Sequence, residues 1–115
     1  MLKGLGALGD LGKLMGQAQE LQQKMADVQT RLETLEVEGE AGAGMVRAVC
    51  TGKGAVVRVS IDPSLLGSAE DKTVVEDLVV AAVNNAQEKA RERAQQEMAS
   101  VTEGLPLPPG FGFGP

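Results

Sequence analysis

The sequence predicts an α+β domain: a long helix, a three-stranded antiparallel meander, then a second long helix. Three observations carry this. Leu11, Leu14, Ala18, Leu21, Met25, Val28, Leu32 and Leu35 follow alternating gaps of three and four residues, an apolar heptad seam. Residues 35–61 switch to β-branched alternation broken by glycines. After Pro63 a helical stripe returns through Val75, Val79, Ala82, Ala86, Ala90, Ala94, Met98 and Val101.

Taken in order, the first ten residues are Gly-rich, with Leu2, Leu5 and Leu8 spaced by three. Glycine costs about 1 kcal/mol per helical position relative to alanine, so this stretch reads as a frayed or conditional start. The helix proper is expected over residues 11–34, where no proline intervenes and the residues between seam positions are good helix formers. Leu35 and Val37 then alternate with Glu36 and Glu38, and GEAGAG (Gly39–Gly44) reads as an interstrand loop. MVRAVCT and AVVRVSI are strand-like, and Gly52-Lys53-Gly54 between them is a hairpin signal. Asp62-Pro63-Ser64 ends the sheet, because proline fixes φ and removes a donor. Ser68 followed by Asp71 reads as a capping box opening a helix over 69–101. The charged second half of that helix looks as though it has little to bury. Residues 1–103 are expected to form one domain. GLPLPPGFGFGP (104–115), with four prolines and four glycines, is expected to be a flexible tail, dispensable for folding.

Composition narrows the chemistry. Hydrophobic residues at 43% and charged residues at 23% argue against wholesale disorder. The two Phe both fall in the last five residues, and Trp and Tyr are absent, so the core must be aliphatic. A thin aliphatic core in 115 residues, with an uncovered seam and sheet edge, favours a homodimer. With no His there is no imidazole base, His metal ligand or His-containing triad. Cys50 alone, amid Val and Ala, reads as a small packed hydrophobe rather than a nucleophile. The expectation is therefore no enzyme, no cofactor, no metal and no small-molecule substrate. No run is long and apolar enough to span a membrane, and Asp10, Lys13 and five glycines interrupt any signal-peptide core. Neither GEAGAG nor Gly52-Lys53-Gly54 leads into a helix N-terminus, so neither is a phosphate loop.

The net charge of −5 is unevenly spread. Acids concentrate in residues 33–44 (four acids, no base) and 62–88 (six acids, one base), and Arg47, Lys53 and Arg58 stand between these blocks. Glu36, Glu38 and Glu40 share one face of a strand and read as a solvated face. Lys3, Lys13, Lys24 and Arg31 lie on or before the first helix, and Lys89, Arg91 and Arg93 on the second. Without aromatic residues for base stacking, single-strand recognition is disfavoured. Either these cations are ordinary helix surface or they meet phosphates, where local rather than net charge matters.

Several ordered segments resemble the YbaB/EbfC family of small bacterial nucleoid-associated proteins: LMGQAQELQQKM (Leu14–Met25), LEVEGEAGAGMV (Leu35–Val46), VSIDPSLL (Val59–Leu66), EDKTVVEDLVVAAVNNAQEKA (Glu70–Ala90) and GLPLPPGF (Gly104–Phe111). The departures are the Gly-rich start, the FGFGP ending and the acidic balance. The resemblance implies a tweezer-like homodimer with protruding helices, located in the cytoplasm at the nucleoid. It further implies binding of double-stranded DNA with weak sequence preference, and an influence on gene expression. Carried onto this chain, it makes Lys3, Lys13, Lys24, Lys89, Arg91 and Arg93 the candidate DNA contacts, ahead of Arg47 and Arg58. The alternative reading is a non-enzymatic adaptor that binds another protein through exposed helical faces.

Overall fold

The computed structural model describes the backbone from Leu2 to Thr102 and the side chains of residues 9–101; the expected tail lies outside them. Helix α1 (Leu2–Thr34) leads into strands β1 (Glu36–Ala41), β2 (Val46–Thr51) and β3 (Val56–Ile61). Two short 3-10 turns, Pro63–Leu66 and Ala69–Asp71, precede helix α2 (Lys72–Thr102). The sheet is an antiparallel meander in the order β1-β2-β3.

Three local expectations are corrected. The Gly-rich start is helical from Leu2: once a helix is nucleated, each added residue gains a hydrogen bond, which offsets poor propensity. Half of GEAGAG belongs to β1, which runs to Ala41, and the turn shrinks to Gly42-Ala43-Gly44, all at positive φ. Ser68 caps a 3-10 turn rather than α2 directly. Its Oγ accepts from the Glu70 N–H at 3.1 Å, while the Asp71 N–H donates to the Ser68 carbonyl, so no reciprocal box forms. The pairing of β2 with β3 slips at Val49/Cys50, where Cys50 faces Val56 and Val57 is the extra residue of a bulge. At the sheet's exit, Asp62 accepts the Ser64 N–H at 2.9 Å, which holds its carboxyl below the ordinary carboxylate range. Its folded pKa is the lower one, so this contribution is present above the ordinary pKa and is lost as pH falls through the folded value.

The core has two parts. On the sheet, Val46, Ala48 and Cys50 of β2 meet Ala82, Ala86 and Ala90 of α2, all essentially inaccessible. The residues are small because the helix lies close: Gly39 has no Cβ to hold it off. Cys50 is the packed hydrophobe expected, and burial pushes its thiol pKa up. Beyond the sheet, Val28 and Leu32 of α1 pack on Val101 of α2, with Leu21, Leu35, Ala94 and Met98 around them. The second half of α2 therefore packs Ala94, Met98 and Val101 against α1, contrary to expectation. Paired, the two helices form an arm that projects from the sheet, and the described residues extend 84 × 26 × 17 Å. Farther out the seam is uncovered: Leu11, Leu14 and Met15 are more than half exposed.

Candidate nucleic-acid interface

The open face of the sheet carries Glu36, Glu38 and Glu40 on β1 with Arg47 on β2 and Arg58 on β3, since residues paired across antiparallel strands point the same way. Arg47 donates to Glu38 at 3.1 Å and Arg58 to Glu36 at 3.0 Å. Both arginines are thus held by carboxylates on a face where three acids outnumber them. Exchanging both for Gln is expected to change duplex affinity by less than about threefold, because the three carboxylates of this face repel a phosphate backbone; a gel shift checks it.

The three α2 cations do not share a surface. Lys89 and Arg93 are one turn apart and line a shallow cleft with Glu36, Glu38, Glu92 and Gln96 on the β1 side. Arg91 lies across the helix, pairs with Glu88, and lines a different cleft with Lys53, Gln87 and Leu32 beside the β2–β3 turn. The 3.6-residue turn separates position 91 from 89 and 93.

On α1 the arrangement is more coherent. Lys24 and Arg31 stand about three and five full turns beyond Lys13, so the three share one stripe along the arm. Lys13 is exposed and has no ion pair among the described residues. Lys24 pairs with Glu20 at 3.3 Å, an exposed contact one turn away. Arg31 reaches across to Glu97 of α2 at 3.1 Å, and Arg93 approaches the same carboxylate at 3.4 Å. Two guanidiniums on one carboxylate leave a local excess of positive charge. Lys24 and Arg31 also flank the groove between the helices, with Asp27, Ser100 and Val101. Arg31 is the residue the candidate set lacked, and the 7-residue spacing from Lys24 is the signal that finds it. The side chain of Lys3 lies outside the described residues.

Acids gather at the opposite end. Glu70, Asp71, Glu76 and Asp77 surround Lys72 at the start of α2. The cation stripe on the arm is thus remote from this acidic cluster, while the stretch with three cations and no acid is residues 45–61. Among the described residues no group of three or more His, Cys, Asp or Glu could hold a metal, and no helix is long and apolar enough to cross a membrane.

The molecule is thus a small α+β domain with a paired-helix arm that bears a cation stripe. Residues 8–105 match the YbaB/EbfC DNA-binding family, and the chain belongs to it. Its class of partner is therefore DNA. The fold is shared with a crystal structure of the uncharacterized protein HP0035 from Helicobacter pylori, at a TM-score of 0.64 and 22% identity, over 77% of this chain and 92% of that one.

Proposed function

We propose that this protein binds double-stranded DNA as a homodimer, with weak sequence preference, through its projecting helical arms. As a nucleoid-associated protein of the cytoplasm it would organise DNA and influence gene expression. The observation that carries the reading is the Lys13, Lys24 and Arg31 stripe on an arm remote from the acidic end of α2. Phosphate contacts need only local positive charge, and an acidic body turned away from the duplex is tolerated. A salt titration of duplex binding tests this. Affinity should fall steeply and linearly in log–log form, with little difference between unrelated sequences. No salt-sensitive duplex binding would favour the adaptor reading.

The homodimer rests on an asymmetry between the two sheet edges. At the β1 edge, the Glu40 N–H donates to Asn85 Oδ1 at 3.1 Å, so α2 covers it. Among the described residues no side chain hydrogen-bonds the backbone of β3, whose Arg58 side chain reaches Glu36 instead. Val56, Val57 and Val59 are 39–47% exposed beside that edge, and Val80 of α2 is 58% exposed. Val80 lies on the β3 side, two turns before Gln87, whose side chain donates to the Gly54 carbonyl at 3.0 Å next to β3. An unpaired strand edge backed by apolar surface is a template for a second copy. Light scattering at micromolar concentration should give roughly twice the 11.9 kDa chain mass. Val59→Arg, at the centre of this patch, should shift the mass toward the monomer.

A further inference from the structure

Helix α1 outruns its partner. Val101 of α2 packs on Val28, with Leu21 at the edge of that cluster, and α2 ends at Thr102. The turns of α1 from residue 9 to residue 20 therefore lie beyond α2. There Leu11, Leu14 and Met15 are 53%, 60% and 59% exposed, and Ala18 is exposed too. Gly9, Gly12 and Gly16 lie on the opposite side of the helix, where an added Cβ would meet nothing within 4 Å. Each weakens a helix that is marginal without tertiary packing. This stretch calls for a partner with a matching apolar stripe.

A second copy of the same stretch supplies one. With Leu11 and Ala18 at heptad position a, and Leu14 and Leu21 at d, the g positions hold Asp10, Gln17 and Lys24. Two such helices laid antiparallel face a against d, so Leu11 meets Leu21 of the second copy and Leu14 meets its Ala18. The same register sets Asp10 opposite Lys24 twice, once on each side of the two-fold axis, with Gln17 meeting its own counterpart on the axis. Other registers lose both ion pairs. A shift of one heptad, pairing Leu11 with Leu14, sets Asp10 against Gln17. A parallel pair sets Asp10 against Met15 and Lys24 against Gln29. Among the described residues Asp10 has no ion pair, and Lys24 has the exposed one with Glu20.

We propose that the outer seams of α1 in two copies pair antiparallel through Leu11, Leu14, Ala18 and Leu21, held in register by Asp10 and Lys24. This self-contact is separate from the β3 edge, and it rests neither on that edge nor on DNA binding. It covers about three turns, ~15 Å of helix. So short a contact is weak in dilute solution, because association itself is costly, and it fills where copies are crowded. Lys13 points away from the seam and Arg31 lies beyond the paired turns, so both stay available to phosphate. Where the arm contact and the β3 contact both form, dimers are linked arm to arm.

Sedimentation between about 10 μM and about 1 mM tests this, in a Val59→Arg background that takes the β3 edge out of the measurement. The weight-average mass should rise toward twice its dilute value. Leu14→Lys should remove the rise. Asp10→Lys and Lys24→Asp, each of which alone brings like charges together, should each weaken association roughly fivefold at low salt, and the two combined should restore it to within about twofold. Circular dichroism checks that each variant is folded. A mass that does not rise overturns the proposal and leaves the seam to a different partner. A rise that survives Leu14→Lys overturns it too, and so does a double exchange that fails to restore association. The association is read without DNA, so its failure leaves duplex binding untouched.

Discussion

Exchanging Gly39 for Ala, the smallest side chain available, is expected to destabilise the protein by about 3 kcal/mol or more, and Gly39→Val to prevent folding. A Cβ on Gly39 would stand 2.2 Å from the Ala86 nitrogen, 2.5 Å from its Cα and 2.8 Å from the Ala82 carbonyl oxygen. All three are backbone atoms of α2, so no side-chain rotation relieves the clash. The helix must lift off β1, which opens the layer between Val46, Ala48 and Cys50 and the alanines opposite them. A domain of this size has only about 5–15 kcal/mol of stability in total. Thermal unfolding followed by circular dichroism measures the loss. Gly12→Ala is the control: an added Cβ there meets nothing within 4 Å, so the variant should gain up to about 1 kcal/mol from helix propensity. Equal melting of Gly39→Ala and the wild type would mean that α2 does not lie this close to β1.

Gly39 also marks the limit of what the sequence alone conveys. In GEAGAG it looks like its neighbours Gly42 and Gly44, which do make the turn at positive φ. What sets it apart is the backbone of Ala86, which lies far along the chain. The features that were legible are those fixed by local chemistry: the seam of α1, the hairpin at Gly52-Lys53-Gly54, the stop at Pro63 and the alanine stripe of α2. Those that were not depend on packing between distant segments. The outer half of α2 looked as though it had nothing to bury because its partner, Val28 and Leu32 of α1, lies some seventy positions earlier. The β3 bulge is likewise set by pairing, since nothing in AVVRVSI distinguishes Val57 from Val56.

The interface falls between these cases. Sequence placed the candidate cations on the two helices but grouped them by proximity along the chain. Helical rotation separates Arg91 from Lys89 and Arg93 and aligns Lys13, Lys24 and Arg31. Both results follow from the 3.6-residue turn once the helices are known to be continuous. What sequence could not convey is which cations are already engaged. Arg47 and Arg58 are held by Glu38 and Glu36 across strands, whereas Arg31 and Arg93 share the single carboxylate of Glu97.

Replacing Lys13, Lys24 and Arg31 together by Gln is expected to reduce duplex affinity strongly and to flatten its salt dependence. Each phosphate contact contributes about 0.9 to the slope of log K against log salt, so three lost contacts on one arm remove about 2.7 units. At that slope, the affinity difference between variant and wild type is largest at low salt and shrinks about fortyfold as salt rises from 50 to 200 mM. The ion pairs sacrificed are exposed: Lys24 with Glu20 and Arg31 with Glu97. Together they cost at most about 1–2 kcal/mol of stability, which circular dichroism can check before binding is measured. The sheet-face pair Arg47 and Arg58, exchanged in the same way, provides the comparison. If the stripe variant loses no more affinity than that pair, the arm is not the DNA-binding surface. If it loses affinity by the same factor at every salt concentration, the three residues do not contact phosphate, because a lost phosphate contact must change the slope as well as the intercept.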